Sequence, residues 1–113
     1  MKRETLLRKW AELAPVECGE IDGGFVRFPR QQQGRWLMHE WTLCSTLLSV
    51  LIEAIRARGW DYSIDGRSAR CKQPTMNHYA VITIKEGTQE VGEAPEPSDA
   101  LLLAYVQALR NNE

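Results

Sequence analysis

A chain of 113 residues with 14 Lys or Arg against 15 Asp or Glu, and so a net charge of -1, has material for one hydrophobic core and not for two. That near-neutrality speaks against a general nucleic-acid binder and equally against a strongly acidic mimic of DNA. The odd set of cysteines, Cys18, Cys44 and Cys71, makes no disulfide framework and suits a reducing cytoplasm. The charged start MKRETLLRKW lacks the apolar centre of a signal peptide, and no apolar run approaches the ~20 residues of a membrane span. The expectation is a soluble cytoplasmic protein with no membrane contact.

Glu4 to Ala14 predicts a short amphipathic helix with Leu6, Leu7, Trp10, Leu13 and Ala14 inward and Arg8, Lys9 and Glu12 outward, ended by Pro15. In VECGEIDGGFVRFPR, the pair Asp22-Gly23 between short apolar runs predicts a hairpin, with Val26 and Phe28 on one face and Pro29 stopping the ladder. Arg30 to Gly34 reads as an exposed loop. Trp36 to Trp41 sorts poorly under alternation, so it is either a short edge strand or an apolar lead-in to the helix that follows.

Thr42 to Gly59 has the clearest helical period and is taken as the element around which the chain is organised. Cys44, Leu47, Leu48, Leu51 and Ile55 share one side, Leu43, Val50 and Ala54 widen it, and Ser45, Ser49, Glu53 and Arg56 form a polar strip. Thr42 or Ser45 supplies the N-cap, Arg56 and Arg58 sit at the negative end, and Gly59 suits the left-handed position that closes a helix. Trp60, Tyr62 and Ile64 then alternate with Asp61, Ser63 and Asp65, a strand with one apolar and one wet face. Arg67 to Gln73 continues as a ragged second strand up to Pro74, and Tyr79 to Lys85, apolar on both faces, predicts an internal strand that His78 begins. Thr88 to Pro97 reads as a solvated acidic linker. Ser98 caps a last helix, DALLLAYVQALR, in which Leu102, Tyr105, Val106 and Leu109 form one face and only Leu103, Gln107 and Arg110 need face water.

The expected fold is α+β, a single domain with an N-terminal helix over residues 1–15 and a core over 42–110. In that core a mostly antiparallel sheet of roughly three to five strands carries the helices. No catalytic pattern accompanies it. His39-Glu40 lacks the second histidine of a zinc-protease motif, since position 43 is leucine. Neither half of a zinc-deaminase signature is present. Cys18, Cys71 and His78 as a metal site, and Asp61 with Asp65 as paired carboxylates, are weaker readings than buried thiols and a solvated strand face. The expectation is therefore no enzyme, no cofactor and no metal.

Charge is distributed unevenly instead. Arg27 to Lys72 holds eight Lys or Arg against four Asp or Glu, while Glu86 to Asp99 holds five carboxylates and no cation. Partner-binding candidates are the basic residues Arg56, Arg58, Arg67, Arg70 and Lys72, together with Trp36 and Trp41 near Arg35 as aromatic anchors. LIEAIRARGWDYSI, the hairpin ending YAVITIKEG, the acidic linker and the closing SDALLLAYVQAL helix together resemble the phage ABA-sandwich family over Thr42 to Leu109. The resemblance implies an α/β/α layered fold and a phage or prophage origin, and it carries no functional residues onto this chain. The leading expectation is an accessory protein that binds a host or phage protein, such as a CRISPR effector of a host defence system. Alternatives are a nucleic-acid or nucleotide-binding module using the basic face, or a homodimer built through the apolar C-terminal helix.

Overall fold

A computed structural model of the chain describes residues 3–28, 36–38, 43–66, 78–84 and 87–111, with the backbone alone for 36, 37, 65 and 66. Helix α1 spans Arg3–Leu13, and a four-residue helix α2 follows at Pro15–Cys18. Proline 15 ends the first helix, as expected, and also begins the second, because a first-turn position has no amide donor to lose. Strands β1 (Glu20–Asp22), β2 (Phe25–Arg27) and β3 (Trp36–Leu37) form one antiparallel sheet in that order. Gly23, at φ 58°, makes the expected turn of the β1–β2 hairpin. Arg8 of α1 donates to the Gly23 carbonyl at 2.7 Å and fastens the turn to the helix.

Helix α3 is Leu43–Ala57. Its buried stripe is Leu43, Leu47, Leu51, Ala54 and Ile55, while Ser45, Ser49, Glu53 and Arg56 face outward as their spacing requires. The end is a Schellman closure: Trp60 N donates to the Ile55 carbonyl at 3.2 Å, Gly59 N to the Arg56 carbonyl at 3.0 Å, and Gly59 takes φ 76°. Strands β4 (Asp61–Gly66), β5 (His78–Thr83) and β6 (Gln89–Ala94) form the second antiparallel sheet, with β5 in the middle. Helix α4, Pro97–Asn111, closes the described chain.

The fold is thus α+β, with two three-stranded antiparallel sheets among the described residues and helices packed on them. Its centre is α4 rather than α3. Ser98, Ala100, Leu101, Leu102, Ala104, Tyr105, Val106, Ala108 and Leu109 are all buried, because α4 lies on β5 and β6 and also meets α3 and α1. A helix covered on so many sides shows no narrow stripe, and for that reason periodicity ranks it below α3. The apolar sides expected to serve a dimer are covered by the chain itself. Helix α1 packs on α4, with Trp10 edge-on to Tyr105 at 5.8 Å and tilted against Phe28 at 6.2 Å.

Two sequence expectations fail at the β6–α4 junction. Residues 89–94 form a strand, not a linker: the register sets Glu90, Gly92 and Ala94 on the face toward α4 and Gln89, Val91 and Glu93 outward. Ser98 lies inside the first turn instead of capping it, and Ala100 N already bonds to the Glu96 carbonyl at 3.0 Å. Its hydroxyl is buried with no hydrogen-bond partner among the described residues. Asp99 in that turn takes a paired contact from Arg3, at 2.6 and 3.1 Å, which ties the start of α1 to the start of α4.

Candidate protein-binding surface

The basic residues expected to act as one face are placed as follows. Arg56 is exposed in the last turn of α3. Arg58, in the turn after it, is also exposed, but its guanidinium is turned onto Glu17 and Tyr105. Trp36 lies in β3, its backbone opposite Val26. Arg35, Trp41, Arg67, Arg70 and Lys72 lie outside the described residues, as do His39, Glu40 and Cys71. Among the described residues only Arg56, Arg58 and the backbone of Trp36 represent the expected set.

Arg58 instead belongs to a polar knot that the sequence did not suggest. Its Nε donates to Glu17 Oε2 at 3.0 Å and reaches the Tyr105 hydroxyl at 2.8 Å, while its guanidinium stacks 5.3 Å from the Trp60 ring centre. The Tyr105 hydroxyl donates to Glu17 Oε1 at 2.6 Å, and Trp10 Nε1 donates to the same oxygen at 3.2 Å. One carboxylate on α2 thus gathers donors from α1, from the end of α3 and from α4. The partners are separated by as many as 88 positions in the chain, too far for any local pattern to reveal.

Burial, and then the hydrogen bond to Glu17, push the Tyr105 phenol well above its ordinary value of 10.0. Cys18 has no exposed surface and bonds to the Leu7 carbonyl; burial, with the Glu17 charge second, pushes its thiol from 9.0 up to about 12. Both groups keep in the folded state a proton that the unfolded chain releases, so their contribution is complete below pH 9.0 and is lost as pH rises above it. Each group costs about 1.4 kcal/mol per pH unit across its window. The urea midpoint is expected to fall steeply between pH 8 and pH 11, and Cys18→Ala and Tyr105→Phe should each flatten that fall. Equal wild-type midpoints at the two pH values would contradict the burial of both groups.

No group of three or more His, Cys, Asp or Glu side chains able to hold a metal occurs among the described residues. The His78 ring nitrogen Nδ1 lies 3.1 Å from the Pro95 carbonyl, which places that histidine in a strand-end contact. An open recess of about 280 Å³ on the β1–β2 hairpin is lined by Glu20, Asp22, Phe25 and Arg27, a solvated mixture with no nucleophile and base in reach of each other. No helix among the described residues is long and apolar enough to cross a membrane.

The surface best suited to contact is the outer face of the β4–β6 sheet. The face toward α4 takes Tyr62 and Ile64, Ala80 and Ile82, and Gly92 and Ala94. The other face takes Asp61 and Ser63 from β4, Val81 and Thr83 from β5, and Gln89 and Val91 from β6. Val91 is 46% exposed and stands directly opposite Val81, an apolar pair bordered by polar side chains. Sequence alternation marked the β4 part of this face as wet; the β6 part stayed hidden because the acidic run around it reads as a linker. No protein-family model, no curated protein and no solved structure matches this chain.

Proposed function

We propose that this chain is an accessory binding protein that acts through contact with another protein, using the outer face of the β4–β6 sheet. The observation that carries this reading is exposed Val91 beside half-buried Val81, an apolar pair on a sheet face whose reverse side is committed to α4. Surface of this composition, an apolar centre with a polar rim, fits an interface core better than a catalytic cleft. The phage-like pattern of the sequence directs the proposal toward a bacterial host protein, with a defence component such as a CRISPR effector as the first class to examine. A nucleic-acid module has weaker support, because Arg58 is neutralised by Glu17 at 3.0 Å.

Affinity capture from bacterial lysate should compare the wild type with a Val81→Lys, Thr83→Lys variant, whose changes point away from the core. The expected result is one protein retained by the wild type, confirmed with the purified partner, and weakened roughly tenfold or more by the variant, about 1.4 kcal/mol. Equal retention by both chains would remove the sheet face from the interface.

A further inference from the structure

The ladder between β5 and β6 determines which way each backbone group of β6 points. Ile84 N donates to the Thr88 carbonyl at 2.8 Å, so 84 and 88 form a hydrogen-bonded pair. Antiparallel alternation then makes Ile82 with Glu90, Ala80 with Gly92 and His78 with Ala94 the bonded pairs. Gln89 and Val91 stand opposite Thr83 and Val81 in the non-bonded pairs, and so turn their N–H and C=O groups away from β5. Strand β6 is last in its sheet, and among the described residues no strand lies beyond it. It carries neither proline nor lysine, and its charged residues are Glu90, on the face toward α4, and Glu93, on the other face.

Charge supplies the second constraint. From Glu86 to Asp99 the chain has five carboxylates and no cation. Glu90 is met by Asn111 at 2.8 Å and Asp99 by Arg3, yet no Lys or Arg lies within the run itself. A second copy of this chain would bring the same acidic run against itself, with like charges across the seam. A basic strand meets it favourably.

We infer that β6 is a recognition edge, to which an extended, Lys- or Arg-bearing segment of a partner protein adds as a fourth strand. This rests on the protein-binding reading above and gives it a mode and a chemistry. The backbone of Gln89 and Val91 supplies the hydrogen bonds, an apolar side chain of the added strand extends the Val81–Val91 row, and its cations lie beside the acidic run.

The test uses the full chain, labelled for amide spectroscopy, with a blocked peptide of alternating valine and lysine as probe. Saturable changes at Gln89 and Val91 are expected, with exchange of those amides slowed roughly tenfold or more. A valine–glutamate peptide should produce none. Val91→Pro removes the outward amide while taking no bond from the β5–β6 ladder and should abolish the effect; Val91→Lys keeps the amide and the ladder, and should weaken it by adding a like charge. No change at millimolar peptide, equal response to the two peptides, or indifference to Val91→Pro overturns the inference. If the Val81→Lys, Thr83→Lys variant still loses its captured partner in that case, the sheet face stands and only the edge mode falls.

Discussion

Gly92→Ala is expected to cost about 3 kcal/mol, the upper end for overpacking a core, and to lower the melting temperature by roughly 10–15 °C. Gly92 sits on the face of β6 that α4 crosses. A Cβ added there would overlap the Ala100 carbonyl oxygen, stand 2.6 Å from Ala104 N and come within 3.1 Å of Leu103 Cβ. The first two are backbone atoms of a helix and cannot rotate aside, so the whole of α4 must lift from the sheet. Lifting it also separates α4 from β5, where Ala80 and Ile82 are fully buried. Gly24→Ala is the control: nothing lies within 4 Å of its added Cβ, and stability should stay within ~0.5 kcal/mol. Thermal unfolding followed by circular dichroism decides the matter. A Gly92→Ala chain melting with the wild type would mean that helix and strand do not approach so closely.

The same glycine shows why part of this fold is legible in the sequence and part is not. Helix α3, the β1–β2 turn and strand β4 follow from local patterns: a 3.6-residue stripe, Asp22-Gly23 between apolar runs, and Trp60, Tyr62 and Ile64 at every second position. Strand β6 has no such pattern. Its inward positions are Glu90, Gly92 and Ala94, none of them a large apolar residue, and at Gly92 the helix backbone fills the space a side chain would take. Alternation cannot report a face of glutamate, glycine and alanine, and the flanking carboxylates pull the reading toward a linker. Ser98 misleads in the same way, since its type favours a cap while the burial of α4 draws it inside. For the candidate surface, most of the basic residues lie outside the described residues. Arg58 went to Glu17, and the outer face of β6 became visible only once the register was known.

Glu17→Ala is expected to destabilise the chain by about 2–3 kcal/mol, although Glu17 lies on a helix of four residues and its side chain is 20% exposed. The cost comes from what its loss strands. Trp10 is fully buried and its indole N–H has Glu17 Oε1 as acceptor; the Tyr105 hydroxyl, also buried, donates to the same oxygen. A buried donor left without an acceptor costs about 1–3 kcal/mol, reduced here because water can enter from the exposed side of the knot. The Arg58 ion pair adds little, since that side chain is 34% exposed and solvent screens it. Glu17→Gln retains one acceptor oxygen and should cost only about 1 kcal/mol. The decisive measurement is a cycle of Glu17→Ala, Tyr105→Phe and the double variant by urea unfolding. A shared hydrogen bond requires that removing the hydroxyl cost less once the carboxylate has gone, with a coupling of about 1 kcal/mol or more. Costs that add within ~0.3 kcal/mol would mean that Tyr105 and Glu17 share no hydrogen bond that contributes to stability.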